Sequence, residues 1–370
     1  MADSTSIPAH VVIFPFPVQG HMNSMFKLSE LLCLAGIHVT YIVTVENHNR
    51  LMNNTGSWYD KYPGFRFQML PENVSQRNVG QLQLFVSLYE SLKTTKPFFR
   101  DLLSGQGQTG PVTCLITDGL MKFTLDVGEE TGVPVIYFRT ASPCSVWTYF
   151  CLDKLIESGD CPFQEDGMDT PIRSVPGMEG FLRGRDLPSL FRVRDMSDTS
   201  LCKIFAGETL ETVRARGFIL NTFEELDGPI ISQISTKIPN IYSIGPLHAL
   251  LKTRLKLETT SSTGGSSNSL REEDKSCIKW LDEQPLKSIN SRYIGEVWKL
   301  GLDIKDTCDR SIIEKAVRDL MEVRKEEFAK SAKEMATLAR KAVNEGGDSH
   351  NNLNKLIEDI KMMNVAAHHA

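Results

Sequence analysis

The chain has 370 residues, which is long enough for two domains with separate buried cores. Hydrophobic residues make up 41% of it and charged residues 24%, as in an ordinary globular protein, and the net charge is −5. That charge provides no basic field to gather nucleic acid, so we expect no nucleic-acid partner.

Neither a secretory leader nor a membrane-spanning segment is predicted. No basic segment followed by a long apolar stretch opens the chain, and no apolar run approaches the roughly 20 residues that a membrane-spanning helix needs. The eight cysteines contain no C-x-x-C pair, which argues against a zinc or redox motif. We therefore predict a cytoplasmic protein with reduced thiols.

The first part of the chain alternates short apolar runs with amphipathic helical patterns. Amphipathic patterns cover 81–103 and 120–131, and another runs from Met25 to Gly36. The apolar runs are typical of buried strands and lie at 10–15, 38–44, 64–70, 112–118, 133–138, 217–222 and 241–245. Such alternation builds βαβ units, so we predict a doubly wound α/β domain with a parallel sheet over residues 8–250.

The composition changes after residue 250. A Gly/Ser-rich stretch at 257–269 predicts a flexible linker over 251–275. Beyond it, residues 276–370 have helical periodicity and almost no strand pattern. Ser311 and Glu314 have the spacing of a capping box, and apolar faces at 313–321, 328–343 and 353–360 predict three helices.

Two polar residues follow strands of the predicted sheet. His21 lies after the first strand, and Asp118 closes the strand at 112–118. Ligands of open parallel sheets bind beyond the carboxyl ends of the strands. A histidine oriented by a carboxylate could activate an acceptor hydroxyl as a general base. Alternatively, His21 bonds a backbone group and Asp118 caps the next helix.

Several segments resemble motifs of the plant UDP-glycosyltransferases. The resemblance covers nearly the whole chain and is carried by Pro15-Phe-Pro-Val-Gln-Gly-His-Met-Asn23, Thr117-Asp-Gly119, Phe138-Arg-Thr140, Asn221-Thr-Phe-Glu-Glu-Leu226, Ser243-Ile-Gly-Pro-Leu247 and Cys277-Ile-Lys-Trp-Leu-Asp-Glu-Gln-Pro285. It implies a GT-B arrangement of two Rossmann-like domains. It also implies that His21 is the general base, that Asp118 is its charge partner, and that Thr140 contacts the donor sugar.

The implied reaction is inverting transfer of glucose from UDP-glucose to a hydroxyl or carboxyl of a small plant metabolite. The UDP-sugar is a co-substrate, and no metal or other cofactor is implied. The motifs look closest to the branch that glucosylates terpenoids and iridoids, with flavonoids and other phenolics as alternatives.

The chain departs from the family pattern at one place. Lys287-Ser288 joins directly to Ile289-Asn290, where the family has a long stretch of donor-domain strands and helices with its UDP-sugar signature. The resemblance therefore implies an internal deletion. The acceptor domain would be complete, while 276–370 would be a mostly helical remnant of the donor domain whose final helix packs back on the acceptor domain. The other UDP-sugar residues would be absent.

Two consequences of such a deletion stay open. The chain could be a catalytically inactive isoform that binds an acceptor-like small molecule or a full-length partner. Helices deprived of their sheet would also expose apolar faces, which favours self-association.

A few further side chains have two interpretations. His48 could line the acceptor pocket or be a solvated loop histidine. Some aromatic residues could either wall an apolar acceptor pocket or belong to the core: Phe14, Phe16, Phe138, Trp147 and Tyr149.

Overall fold

The computed structural model describes residues 7–55, 58–71, 81–105, 111–162, 168–191, 200–258, 293–302 and 309–369. Within these ranges, seven strands form one parallel sheet in the order β3-β2-β1-β4-β5-β6-β7. The strands are His10–Phe14 (β1), His38–Val43 (β2), Phe65–Met69 (β3), Cys114–Asp118 (β4), Val135–Arg139 (β5), Gly217–Leu220 (β6) and Ile241–Ser243 (β7). The predicted α/β class with a parallel sheet is confirmed.

The strand order reverses between β1 and β4, the two central strands. Their register pairs Val11 with Cys114 and Phe14 with Thr117, so both strands end at the same level of the sheet. Every residue of both strands is buried. A reversal of this kind opens a crevice at the carboxyl ends of the strands, because the two following connections leave in opposite directions.

Helices cover both faces of the sheet. They are Gln19–Leu34 (α1), Val45–Thr55 (α2), Gln81–Lys93 (α3), Lys96–Leu103 (α4), Phe123–Thr131 (α5), Pro143–Phe150 (α6), Leu152–Glu157 (α7), Ser200–Glu211 (α8), Glu224–Ser235 (α9), Leu247–Glu258 (α10), Arg310–Arg318 (α11), Lys325–Val343 (α12) and Asp348–His369 (α13). Alternate residues of β1 point to opposite faces: Val12 and Phe14 join one core, and Val11 and Ile13 the other. No helix in the described ranges is both long and apolar enough to cross a bilayer.

The final helix is part of the core of the sheet domain. Leu356 and Ile360 of α13 are fully buried in the same cluster as β1 and α1. At its start, the Ser349 hydroxyl donates to the Gly245 carbonyl oxygen at 2.5 Å, and further along Tyr242 Oη donates to Asp359 Oδ2 at 2.6 Å. The C-terminal residues therefore depend on β7 and the loop that follows it.

The structure corrects three boundaries. The helix predicted over 81–103 is two helices, α3 and α4, because Pro97 lies in the first turn of α4 and cannot continue a preceding helix. The predicted linker at 251–275 begins inside α10, where Leu250 and Leu251 are buried and residues up to Glu258 remain helical. Residues 259–275 lie outside the described ranges.

The predicted capping box at Ser311 and Glu314 is the third correction. Helix α11 is capped two residues earlier by Asp309, whose Oδ1 accepts from the amides of Ser311 at 2.8 Å and Ile312 at 3.1 Å. The carboxylate reaches two free amides of the first helical turn and adds negative charge at the helix N-terminus.

The helix that follows the cap has an apolar side that the described structure covers only in part. In α11 no residue is buried, Val317 is exposed, and Met321 in the turn beyond it is 60% exposed. In 293–302 and 309–369 there is no strand. The predicted helical character of this part is thus observed in the described residues, and part of the apolar side of α11 is exposed.

We expect Leu356→Ala to lower the free energy of unfolding by about 2–5 kcal/mol, because it leaves a cavity in the shared core. Urea denaturation followed by circular dichroism measures this. Met362→Ala is the matched control, since Met362 is an exposed apolar residue of the same helix and its truncation should change the free energy by about 0.5 kcal/mol or less. Equal effects of the two substitutions would show that α13 does not belong to the core.

Candidate active site

His21 is held in the first turn of α1, directly after the loop that leaves β1. In this loop the Val18 amide donates to the Phe16 carbonyl oxygen at 2.7 Å, and the His21 amide donates to the Val18 carbonyl oxygen at 3.1 Å. The buried Asn47 side chain donates to the Pro17 carbonyl oxygen at 3.0 Å and ties the loop to α2. The His21 ring also contacts Phe16, with ring centroids 5.7 Å apart.

Asp118 lies at the end of β4, next to His21. Its Oδ2 is 2.5 Å from His21 Nδ1, and its side chain is fully buried, whereas that of His21 is 23% exposed. The other oxygen, Oδ1, accepts from the Leu120 amide at 3.2 Å. Asp118 does not cap the next helix, which begins at Phe123, and His21 bonds a carboxylate rather than only the backbone.

This arrangement makes the two imidazole nitrogens different. A carboxylate bonded to Nδ1 favours the tautomer with the proton on Nδ1, which leaves the lone pair on Nε2. The buried Asp118 charge would stabilise the imidazolium that forms when Nε2 takes a second proton. In this geometry Nε2 would be the atom that accepts a proton from a bound hydroxyl.

Thr140 joins the pair from the end of β5. Its hydroxyl oxygen is 3.1 Å from His21 Nδ1 and 3.4 Å from His21 Nε2. The structure thus brings together all three residues that the sequence suggested, from the ends of three neighbouring strands.

An open cavity of about 410 Å³ contains this site, within the usual size range of small-molecule pockets. Its lining consists of His21, Asp118, Leu120, Arg139, Thr140, Ala141, Ser145, Tyr149 and Phe205. A larger cavity of about 720 Å³ lies at the amino ends of the strands, beside residues that precede strands, such as Val112 and Asn240. Its lining contains no comparable histidine–carboxylate pair.

The predicted aromatic wall is only partly present. Tyr149 lines the cavity, whereas Phe14 and Phe138 are fully buried in the core. Trp147 is also buried, and its indole N–H donates to the Pro176 carbonyl oxygen at 2.7 Å. His48 packs edge-on against Phe67 at 5.1 Å and is not among the residues that line the cavity.

Arg139 is the most notable lining residue that sequence reasoning did not single out. In the structure it is the last residue of β5, one position beyond the strand predicted at 133–138, and a charged residue directly after a buried strand was the available signal. Its side chain is 3% exposed, and burial lowers the pKa of its guanidinium while the nearby Asp118 carboxylate acts in the opposite direction. Ala141, Ser145 and Phe205 gave no signal in the sequence.

Comparison with known families identifies the N-terminal part directly. Residues 8–68 match the family model described as "Glycosyltransferase, N-terminal domain". This match contains β1, His21 and the whole of α1.

Curated relatives extend the similarity over the chain. A 7-deoxyloganetic acid glucosyl transferase of Catharanthus roseus is 36% identical over 480 aligned positions, covering 98% of this chain and 99% of that protein. A myricetin 3-O-rhamnoside 1,2-glucosyltransferase of Crocosmia x crocosmiiflora is 29% identical over 466 positions, covering 97% of both. UDP-glycosyltransferase 85A5 of Arabidopsis thaliana is 37% identical over 294 positions, covering 78% of this chain and 60% of that protein.

Solved structures share the fold. A UDP-glucosyltransferase from Polygonum tinctorium superposes with a TM-score of 0.73 at 17% identity, covering 97% of this chain and 100% of that one. Medicago truncatula UGT71G1, complexed with UDP-glucose, gives a TM-score of 0.71 at 18% identity, covering 95% and 98%. The solved structures share the fold of this chain, and the curated relatives align along its whole length. The chain therefore belongs to the plant UDP-glycosyltransferase family, as a UDP-glucosyltransferase.

Proposed function

We propose that this site activates a small plant metabolite for inverting transfer of glucose from UDP-glucose. The observation that carries the proposal is the contact between His21 Nδ1 and the buried Asp118 carboxylate in the lining of a cavity of about 410 Å³. It leaves Nε2 as the proton acceptor within a space of the right size for a metabolite.

The proposed step is a single in-line displacement. His21 Nε2 takes the proton of the acceptor hydroxyl, and the oxygen forms a bond to the anomeric carbon as the bond from that carbon to UDP breaks. UDP leaves with the electron pair of the broken bond, and the proton stays on the imidazolium, which Asp118 stabilises. An acceptor that reacts through a carboxyl group would attack the anomeric carbon in the same way, with the carboxylate as the nucleophile. Thr140, beside the histidine, is proposed to contact the donor sugar.

The proposed class of acceptor rests on the names of the relatives more than on the geometry of the site. One relative is named for 7-deoxyloganetic acid and another for a myricetin rhamnoside. The proposed acceptors are therefore terpenoids or iridoids, with flavonoids as the alternative. The cytoplasmic location and the absence of a metal or other cofactor remain predictions.

A second candidate function is binding of the acceptor without turnover, alone or beside a full-length partner. The alignment with the Catharanthus protein has 480 positions, 110 more than the 370 residues of this chain. At least that many positions of the alignment have no residue here, which supports the proposal that a stretch is missing from this chain. An N-terminal half with its site assembled is compatible with either candidate.

The uncovered side of α11 supports a further part of this proposal. Helices that normally cover a sheet keep apolar residues on the covering side, and Val317 and Met321 are exposed here. We propose that this surface, together with Ile312 and Val323, mediates self-association.

His21→Asn should lower glucose transfer by about 10²- to 10⁴-fold, because the general base is lost. Asp118→Asn, which preserves the shape of the side chain, should lower glucose transfer by a smaller factor. Transfer is assayed in the 370-residue chain and in a longer form with a family donor segment inserted between Ser288 and Ile289. His48→Asn is the matched control, outside the cavity.

The hydrogen bond itself gives a readout that needs no turnover. Proton-detected nitrogen NMR should show a protonated Nδ1 on His21 that disappears or shifts in Asp118→Asn. Full activity of His21→Asn, or an unchanged His21 spectrum in Asp118→Asn, would refute the proposed roles.

Calorimetric titration with UDP-glucose separates the two candidate functions. We expect the 370-residue chain to bind it at least about 100-fold more weakly than the longer form, because a shortened donor half offers fewer groups to a nucleotide and its diphosphate. Comparable affinity would rule out the silent binder and leave the transferase.

The sedimentation coefficient of the chain should rise with protein concentration. Val317→Glu with Met321→Glu should abolish that rise, because the charges oppose burial of the α11 surface. Leu210→Glu, at an exposed apolar residue of α8, is the control and should leave the association unchanged. A concentration-independent coefficient for the natural chain would contradict self-association.

A further inference from the structure

Arg139 places a buried positive charge in the wall of the cavity that holds His21. It is the last residue of β5, next to Thr140, and only 3% of its surface is exposed. Its side chain packs over Gly119, where an added Cβ would lie 3.0 Å from Arg139 Cδ. The guanidinium is therefore fixed in place rather than free to swing out to solvent.

The hydrogen bonds of this guanidinium go to neutral groups. Nη1 donates to the Gly119 carbonyl oxygen at 2.6 Å, and Nη2 donates to Thr209 Oγ1 at 3.2 Å. Nε has no partner among the described residues. These two bonds use two of the five N–H groups that an arginine offers.

No carboxylate of the described part of the chain forms an ion pair with Arg139. Asp118 and Glu208 are close enough to act on its charge, but their oxygens are bonded elsewhere. Asp118 bonds His21 and the Leu120 amide, while Glu208 accepts from the Tyr89 hydroxyl and, at 2.7 Å, from the Lys122 amide. A buried charge without a bonded counter-charge is costly, so such groups are normally paired.

The surroundings of Arg139 fit an anion attached to an apolar body. Its guanidinium carbon lies 5.9 Å from the centre of the Tyr149 ring, and Tyr149 lines the same cavity. Leu120, Ala141 and Phe205 add apolar surface. The fork of an arginine matches a carboxylate better than it matches a hydroxyl, since two oxygens can be bonded together.

We propose that Arg139 binds a carboxylate of the acceptor, so that the preferred acceptors are small apolar metabolites that carry a carboxylate besides the hydroxyl facing His21. This inference rests on the proposed function in assuming that the cavity holds the acceptor. It adds the chemical class of that acceptor and gives the buried charge its counter-ion.

Binding of paired probes tests the proposal without requiring sugar transfer. The probes are 4-hydroxycinnamate, a monocyclic monoterpene acid that carries a hydroxyl, and a hydroxylated benzoate, each beside its methyl ester. Calorimetry or ligand-observed NMR with the natural 370-residue chain should show at least one acid binding about 10- to 100-fold more tightly than its ester. If no acid is preferred, the proposal is wrong.

Two substitutions assign the preference to Arg139. Arg139→Met should reduce the ratio of acid to ester affinity to about 1, with ester binding retained, and Arg139→Lys should keep part of the ratio. Arg216→Met, an exposed arginine beside the opposite cavity, is the matched control and should leave the ratio unchanged. A ratio that persists in folded Arg139→Met, checked by its melting temperature, would overturn the assignment.

The donor diphosphate is the other anion that could meet this arginine, and a separate arm distinguishes it. Saturating UDP should not displace the preferred acid, and Arg139→Met should leave UDP affinity unchanged. Competition between UDP and the acid, or a loss of UDP affinity, would overturn the proposal in favour of donor binding. Failure of His21→Asn to affect transfer would refute the dyad while leaving the acid preference intact.

Discussion

The register between β1 and β4 is the constraint on which the site depends. Phe14 faces Thr117 across the central pair of strands, so the loop that carries His21 and the residue Asp118 leave the sheet at the same level. The next pair, Asp118 with Phe138, brings Arg139 and Thr140 to the same edge. A shift of one residue would turn every side chain of a strand to the other face, and both faces are packed here, so the register is strongly specified.

Burial of charge is the second organising feature. Asp118, Arg139 and Glu208 are all buried, and the two carboxylates lie close enough to Arg139 to act on its charge. Each carboxylate is bonded by neutral donors or by the histidine, and burial raises the pKa of Glu208. Asp118 and Arg139 belong to the lining of the cavity, and because they are buried, water screens their charges only weakly. Such placement lets a few charges orient a ligand in a cavity that is otherwise apolar.

The C-terminal helices divide into two groups with different relations to the sheet. Helix α13 contributes Leu353 and Leu356 to the core beside β1, and the end of α12 contributes Val343. These two segments therefore pack as part of the sheet domain. Helix α11 contributes no buried residue, although its apolar residues recur with helical spacing. The same periodic pattern therefore leads to burial in one helix and exposure in another, because periodicity marks a face but does not supply the partner that covers it.

The sequence by itself determined the strands, the alternation that makes the sheet parallel, and the two strand ends at which His21 and Asp118 lie. Those features depend on local periodicity and on a general rule about parallel sheets, both of which operate within short stretches of chain.

The tertiary structure decided which residues meet. The contact between His21 and Asp118 spans 97 positions of the chain, and the bond of Arg139 to Thr209 spans 70. It also decided that the long amphipathic pattern at 81–103 breaks before Pro97 and that Asp309 caps α11, because a turn or a cap depends on a few specific hydrogen bonds. The burial of Arg139 is the clearest case. The sequence pattern places it directly after a predicted strand, but only the folded chain, in which Tyr149 of α6 and Thr209 of α8 contact its guanidinium, removes its charge from water.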